Sequence, residues 1–531
     1  MQELLLLHGY FLSGSGSNLL VRNLASNFAE KDLKTVLVCQ ERNPEKYPFI
    51  RDAIIVEPDT GKLVPYYHNP GGKVILYNPK TSLLPVFVYD DYPGFKVKTF
   101  TELSIEELER YINEMVTSLK IISANHNIQF VFAQHLIINP YIVKQLGLPY
   151  SITVHGSDIS YTIERDERYH FYAREGIKGA YKVITLSNEL TRRLKPYLDY
   201  PEKVIEITPG VDGKLFGELA AVNLLQIKGN GRSKETEESF YHGLSQVRSL
   251  NELLKYIDFI RKNYDYSLTD QHAGEKLNKV SRGRNLILFL GKHLYAKGPQ
   301  LLALALPYLL EEKVNAAFVG HGLYREVVEA LVYFLRENRE DLVAEILNYG
   351  EEGYPNPGKM FYEELTKSEK EQYLKLARQN LTGDRVVFTG QIFHPELAAV
   401  IQRAKLLVVP SLVKEAFGMV AVEGIAAGAL PLVDGEGGMA SIITNYTAFL
   451  KKKGFNLSLD TFILSKLRTA EGVREIVDKG KRLLELYEKL GEEQIWNLNR
   501  DFIHSYYDWS RIAQKYRELS QNYWQENPKI C

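Results

Sequence analysis

The fold is indicated most directly by the stretch Leu406-Leu-Val-Val-Pro410-Ser411-Leu-Val-Lys-Glu415-Ala-Phe417-Gly418-Met-Val-Ala-Val-Glu423. The apolar run before Pro410 is typical of a buried strand, and the small and apolar residues after Gly418 are typical of a helix packed on a sheet. A loop containing Glu415 connects the two. Because a strand followed by a helix is the unit from which parallel sheets are built, this stretch predicts an α/β fold.

Short apolar runs recur on both sides of this stretch, and helical patterns separate them. In the first part of the chain they lie at 4–7, 35–38, 130–133, 151–154 and 183–186, and in the second part at 285–291, 316–320, 385–390, 406–410 and 430–433. Ser104-Ile-Glu-Glu107 adds a capping box that predicts the start of a helix. The alternation predicts two Rossmann-like domains, each a doubly wound parallel sheet.

The rhythm of strands and helices breaks twice, and the breaks set the predicted boundaries. At 531 residues the chain is too long for one core. We expect an N-terminal, acceptor-side domain over 1–216 and a polar, helical insertion or linker over 217–284. A C-terminal, donor-side domain over 285–496 follows, with a surface insertion at 336–382. Residues 497–531 are predicted to form a C-terminal helix.

Composition and charge exclude several classes of protein. Lys and Arg number 65 against 66 Asp and Glu, which gives no global field for binding nucleic acid. Only Cys39 and Cys531 are present, so we expect a reducing, cytoplasmic location and no cysteine-based zinc site. The apolar run at the start predicts a buried strand rather than a signal peptide, and no run is long enough to span a bilayer. Peripheral membrane contact through the basic segment 191–195 remains open.

Ligands of open parallel sheets bind at the carboxyl ends of the strands, so the loops that follow strands are the candidates. In the first domain, Gly14 and Gly16 lie in a Gly/Ser-rich turn that leads into a helix, where backbone amides can meet an anion. This turn lacks the spacing of a Walker or dinucleotide loop. His155 follows another strand, where it either bonds a substrate hydroxyl or satisfies nearby backbone groups.

In the second domain, Lys292 and Lys297 flank one such loop. Two ammonium groups beside glycines suit a diphosphate, although solvated surface lysines give the same pattern. Glu415 and Glu423 lie on either side of the start of the next candidate helix, and spacing alone leaves that arrangement at the level of chance.

Taken together, these loops resemble the GT-B glycosyltransferases of the large retaining, GT4-type family (glycosyl transferases group 1), which includes sucrose-phosphate synthases. The match is strongest over 386–443, through Ser411 to Gly418, Glu423 to Gly428 and Gly437-Gly438. The family usually has an arginine where Lys292 stands. The resemblance implies two domains facing a central cleft, with the C-terminal helix crossing back to the N-terminal domain.

The resemblance also assigns roles. Glu415, His155, Lys297 and Lys292 would be the catalytic group: Glu415 and His155 contact the donor sugar, and the two lysines hold the diphosphate. Glu423 would accept hydrogen bonds from the ribose, and the backbone near Ile392 would meet the base. The implied donor-binding set is completed by Gly14, Gly16, Phe417, Gly418, Met419 and Val420.

The function implied is retaining transfer of a hexose from a UDP-, GDP- or ADP-sugar to a hydroxyl acceptor. That acceptor would be a sugar, a sugar phosphate, a small polyol or acid, or a lipid-linked glycan. We expect no further cofactor and no metal, because Asp90-Asp91 lacks the spaced pair by which metal-dependent transferases hold a cation. The alternatives are another GT-B enzyme, such as a sugar-nucleotide epimerase or a phosphorylase, and a catalytically silent subunit that binds nucleotide sugars.

Overall fold

The computed structural model describes residues 3–89, 92, 94–217, 222–283, 285–311, 313–394 and 396–528. The chain divides into two compact units, one of Met1–Gly210 with Tyr507–Cys531 and one of Val211–Tyr506. Both segments that interrupt the strand pattern, 217–284 and 336–382, therefore lie in the second unit. The end of the chain lies in the first.

The first unit is built on a sheet that has nine strands among the described residues. The strands of this sheet are β1 (Glu3–Leu7), β2 (Lys34–Val38), β3 (Ile50–Glu57), β4 (Lys62–His68), β5 (Val74–Pro79), β8 (Ile128–Gln134), β9 (Tyr150–Val154), β10 (Val183–Thr185) and β11 (Val204–Glu206). A separate pair is formed by β6 (Leu84–Val86) and β7 (Val97–Thr99). The order of the nine-stranded sheet is β11-β10-β9-β8-β1-β2-β5-β3-β4. Its helices are α1 (Gly16–Glu30), α2 (Ile105–Asn125), α3 (Asn139–Gln145), α4 (Arg168–Gly179) and α5 (Asn188–Leu194).

All five strands predicted for this unit are present, and α2 begins with the predicted capping box at Ser104. The hairpin of β3 and β4 was not predicted, and β4 runs antiparallel at the edge of the sheet. Because an edge strand is solvated, β4 carries no buried apolar run; Val64 and Tyr66 are about 40% exposed. The sheet is therefore parallel with one antiparallel edge strand.

The second unit has a parallel sheet whose described strands follow the order β14-β13-β12-β15-β16-β17. They are β12 (Asn285–Leu290), β13 (Val314–Val319), β14 (Val386–Phe388), β15 (Ala404–Val409), β16 (Leu430–Asp434) and β17 (Ile463–Leu464). The helices are α6 (Gly213–Gly217), α7 (Lys234–Leu244), α8 (Leu250–Arg261), α9 (Ala273–Ser281), α10 (Pro299–Leu309), α11 (Arg325–Arg336), α12 (Glu340–Asn348), α13 (Pro357–Glu364), α14 (Lys367–Asn380), α15 (Glu396–Ile401), α16 (Met419–Ala426), α17 (Gly437–Lys452), α18 (Glu471–Leu490) and α19 (Glu492–Tyr506). Every strand predicted for this half of the chain is present.

The polar segment 217–284 is fastened to the second unit by buried ion pairs. Arg232 donates to both carboxylate oxygens of Glu329 at 2.8 and 2.7 Å, and Arg325 donates to both oxygens of Asp270 at 2.9 and 2.6 Å. All four side chains are at most 1% exposed. Since a buried charge is tolerated only when it is paired, these contacts hold the segment on α11.

Helix α20 (Trp509–Glu526) packs within the first unit, whereas residues 497–506 of the predicted C-terminal helix belong to α19 of the second unit. The Tyr516 ring centroid lies 5.2 Å from that of Phe132 in β8, and the hydroxyls of Tyr516 and Thr153 are 3.3 Å apart. Among the described residues, no helix is both long and apolar enough to cross a membrane.

Candidate active site

The glycine-rich turn of the first unit is solvent-exposed. Gly14 has a φ of 94°, and Ser15 caps α1 by accepting a hydrogen bond from the Asn18 amide. A Cβ added to Gly14 or Gly16 would meet nothing within 4 Å, so the backbone of this turn is open to a ligand.

His155 follows β9 and is buried against another polar side chain of the same unit. Its Nε2 donates to Gln134 Oε1 at 2.9 Å, which leaves Nδ1 as an acceptor. Burial lowers the pKa of His155 to about 3, and His8 adds a smaller effect in the same direction. Asp158 holds the loop by accepting backbone N–H groups, including that of Gly156 at 2.8 Å. The structure thus presents His155 as a neutral, oriented imidazole.

Two further histidines gather at the same edge of this sheet, and the sequence analysis singled out neither. The His135 ring centroid lies 4.5 Å from that of His155 and 5.7 Å from that of His8. Burial lowers the pKa of His8 to about 4 and that of His135 well below its usual value. His8 directly follows β1 and His135 directly follows β8, so the rule that ligand-site residues follow strands could have found both.

In the second unit, the loops after β12 and β15 are joined by backbone contacts. The carbonyl of Ala296 accepts hydrogen bonds from the amides of Leu412 at 2.8 Å and Val413 at 3.2 Å. Gly298 has a φ of 72°, and a Cβ there would lie 1.9 Å from the carbonyl oxygen of Pro410. Only glycine fits this approach, so the two loops form one rigid surface.

Lys297 and Glu415 meet on that surface. The ammonium of Lys297 contacts Glu415 Oε1, and the Ser411 hydroxyl lies 3.3 Å from the same oxygen. The side chains are 29% and 23% exposed, so the pair remains accessible. Lys292 lies at the start of the same β12 loop and is exposed. The structure therefore brings Lys297 and Glu415 into direct contact, and Lys292 lies at the start of the loop that carries Lys297.

Gly437 and Gly438, after β16, support the loop that carries Glu415. The amide of Gly438 donates to the Glu415 carbonyl at 2.7 Å, and a Cβ on Gly438 would lie 2.4 Å from Phe417 Cα. The helix α16 then begins after Gly418, whose φ is 100°. Gly424 lets that helix lie close to β15, since a Cβ there would be 2.3 Å from the Leu407 side chain.

The chain is similar to known glycosyl transferases in part of its sequence and in its fold. Residues 357–483 match the family model described as glycosyl transferases group 1. That segment includes every predicted site residue from Ile392 to Glu423 and ends before α18 does. No curated protein matches the chain in sequence.

Solved structures match over almost the whole chain. Sucrose-phosphate synthase from Thermosynechococcus elongatus is 16% identical with a TM-score of 0.55, and covers 99% of this chain and 100% of its own. Anabaena HepE, solved with UDP and glucose, is 14% identical with a TM-score of 0.53, covering 98% and 100%. The UDP-forming trehalose-phosphate synthase from Burkholderia vietnamiensis is 10% identical with a TM-score of 0.52, covering 98% and 98%. At these identities the likeness shows the fold, which is the GT-B fold with two Rossmann-like domains.

The remaining predicted residues of the segment that matches the family model lie along the same sheet edge. Met419 and Val420 form the first turn of α16, and Glu423 lies further along this helix, 6% exposed. Ile392 is buried in the loop after β14, which β13 and β12 separate from β15. Gly14, Gly16 and His155 lie in the other unit. Asp90 and Asp91 lie outside the described residues.

Arg468, which the sequence analysis did not identify, links the loop that carries Glu415 to β16. Arg468 donates to both oxygens of Asp434, at 2.9 and 3.0 Å, and to the Leu412 carbonyl at 3.2 Å. Burial raises the pKa of Asp434 to about 6 in spite of Arg468. These hydrogen bonds fix the start of the Glu415 loop. No local sequence pattern marks Arg468, because it lies outside any strand or helix. Within the described residues, no group of three or more His, Cys, Asp or Glu side chains could hold a metal ion.

Proposed function

We propose that this chain is a retaining glycosyltransferase that moves a hexose from a nucleoside-diphosphate sugar to a hydroxyl acceptor. The contact between Lys297 and Glu415 carries the proposal, because it joins a cation suited to phosphate with a carboxylate suited to sugar hydroxyls. The contact lies at the carboxyl ends of two neighbouring strands, β12 and β15, where α/β proteins bind their ligands.

The leaving group is the part of the reaction that this surface stabilises best. As the bond between sugar and diphosphate breaks, negative charge develops on the phosphate oxygens. Lys292, Lys297 and the first amides of α16, at Met419 and Val420, are the donors that would meet this charge. An ammonium has three N–H groups, so Lys297 can bind a phosphate oxygen while it keeps Glu415 in place.

The other predicted residues receive roles that fit their places. Glu415 would accept hydrogen bonds from the donor sugar, and the backbone of Phe417 and Gly418 would approach sugar and diphosphate. Glu423 would bind the ribose, and the backbone at Ile392 would meet the base. Retention would follow if the leaving diphosphate assists the incoming hydroxyl, as the family resemblance implies.

The first unit would supply the acceptor side of the reaction. The open turn at Gly14 and Gly16 would reach the phosphates or the acceptor, and His155 would accept a hydrogen bond from a hydroxyl of the donor sugar through Nδ1. The acceptor classes remain a sugar, a sugar phosphate, a small polyol or acid, or a lipid-linked glycan. The buried free thiol of Cys39 fits a cytoplasmic location.

UDP, GDP and ADP sugars are the donors to test, and no further cofactor is proposed. HepE was solved with UDP-glucose, which puts UDP-glucose first. Thermal-shift screening against such a panel identifies the donor, because a ligand that binds only the folded state raises the melting temperature. Glu415→Ala should then abolish sugar transfer while the protein stays folded. Full activity in that variant would overturn the site. Donor consumed without acceptor would favour an epimerase or a phosphorylase, and binding without turnover would favour a silent subunit.

A further inference from the structure

A cavity of about 620 Å³ lies in the unit that carries the donor loops. Helix α8 and residues 349–352 form two of its walls, and both come from the segments that interrupt the strand pattern. The other walls are Leu294 and Tyr295, after β12, and Leu323 and Tyr324, after β13. The volume lies within the range of small-molecule binding pockets.

Aromatic and apolar side chains line the floor and rim of this cavity. Tyr295 and Tyr324 are buried, and their ring centroids lie 5.6 Å apart in an edge-to-face arrangement. Around the rim, Tyr349, Leu294 and Leu323 are 42%, 37% and 59% exposed. Large apolar side chains exposed together around a concave surface are typical of a binding site.

The polar groups of the cavity are acidic and uncompensated. Asp258, Glu351 and Glu352 line it, and in the described part of the chain their carboxylates take part in no ion pair and no side-chain hydrogen bond. Of the described residues that line it, one is a cation, Arg261, which donates to Glu326 at 3.0 Å. Burial raises the pKa of Tyr295 to about 12, and the charge of Glu351 adds to that effect.

These groups match the chemistry of an uncharged carbohydrate. Sugar hydroxyls donate to carboxylates and exchange hydrogen bonds with phenols, while the C–H faces of a sugar ring pack on aromatic rings. A phosphate would meet three carboxylates and no unpaired cation, so the cavity discriminates against it. Its position is equally informative, because Leu294 and Tyr295 lie in the loop between Lys292 and Lys297.

We propose that this cavity of the second unit binds a neutral saccharide and discriminates against sugar phosphates. This inference rests on the proposed function, because it places the saccharide beside the loop assigned to the donor diphosphate. The two inserted segments then determine which saccharide the cavity accepts.

Calorimetric titration tests the proposal with a panel of neutral disaccharides and trisaccharides, with glucose 6-phosphate and trehalose 6-phosphate, and with spermidine as a cationic probe. We expect a neutral saccharide to bind the wild type more tightly than either sugar phosphate or spermidine. The double variant Glu351→Gln/Glu352→Gln and the variant Tyr349→Ala should each weaken that binding at least tenfold. Glu371→Gln, an exposed glutamate on α14, should leave it unchanged.

Nucleotide titrations on the same samples separate the two proposals. If a nucleotide binds and no saccharide does, or if a sugar phosphate or spermidine binds best, the cavity proposal is wrong while the proposed function stands. Saccharide binding that is the same in all the variants also overturns it. If no nucleotide binds, the proposed function itself fails. Unchanged melting temperatures establish that the variants are folded.

Discussion

In the first unit, the loops after β1, β8 and β9 carry His8, His135 and His155, all buried. In the second unit, the loops after β12 and β15 carry Lys297 and Glu415, both partly exposed and in contact. A parallel sheet places functional side chains at the same edge in both units, but burial decides their chemical state. The first unit offers neutral hydrogen-bonding rings, and the second offers ions for a charged donor.

We expect Glu415→Gln to have the largest effect on activity, because it removes one of the two ions that distinguish the second unit from the first. The change keeps the size of the side chain and removes the charge that faces Lys297. We expect kcat to fall by about 10²–10³-fold, as when one polar group of a preorganised site is lost. Glu311→Gln is the control, because Glu311 pairs with Lys481 at 2.9 Å elsewhere in the same unit. Equal activity of the two variants would show that Glu415 has no special part in transfer.

Gly438→Ala should have the next largest effect, because the added methyl would lie 2.4 Å from Phe417 Cα. The Glu415 loop must move, so we expect a loss of about 1–3 kcal/mol in the free energy of unfolding and weaker donor binding. Gly213→Ala is the matched control, since a Cβ there meets nothing within 4 Å. Urea denaturation and donor titration measure both effects. Wild-type behaviour of Gly438→Ala would contradict the packing described for this loop.

Gln134→Leu tests whether the neutral, oriented His155 of the first unit takes part in the reaction. Without the amide oxygen, His155 is free to adopt either tautomer, and we expect kcat/KM to fall about tenfold. Gln134→Glu restores an acceptor and adds a charge that raises the pKa of His155, so activity should return with a shifted pH profile. A leucine variant with unchanged kinetics, or a glutamate variant with the wild-type profile, would remove His155 from the mechanism.

The last prediction concerns the pH dependence of stability. The pKa values of His8 and His155 fall from the usual 6.5 to about 4 and about 3 in the folded protein. Between pH 6.5 and 4 these histidines are protonated in the unfolded chain but stay neutral in the folded protein. The free energy of unfolding therefore falls as the pH falls through this window. Each group contributes up to about 1.4 kcal/mol per pH unit. His155→Asn should lose less stability than the wild type between pH 7 and 5 in urea denaturation; an equal loss in both would show that His155 is not held neutral by the fold.

The sequence predicted β1, β2, β8, β9 and β10 correctly because they read as unbroken, buried apolar runs. It missed β5 and the hairpin of β3 and β4, and an edge position removes that signal only for β4. The sequence analysis left 217–284 as either an insertion or a linker, because Arg232 and Glu329, which attach this segment to α11, are 97 positions apart in the chain. Long-range charge pairs leave no local pattern.

The same limit applies to the candidate site. Lys297 and Glu415 are 118 positions apart, and each alone looks like a surface residue. Only the family resemblance singled them out, and the structure brings them into contact. Arg468 and Asp434 were missed because their role depends on the register of β16 against the Glu415 loop, which the sequence does not reveal.

Calorimetric titration of UDP, GDP and ADP against the wild type, Lys297→Met and Lys481→Met tests the central claim most directly. Both lysines pair with a glutamate in the second unit, but only Lys297 lies on the proposed donor surface. We predict that one nucleotide binds the wild type and Lys481→Met alike, and binds Lys297→Met at least about tenfold more weakly, a loss of 1.4 kcal/mol or more. Equal affinity for the two variants, or no binding of any nucleotide to the wild type, would contradict the assignment of this surface to a nucleoside-diphosphate sugar.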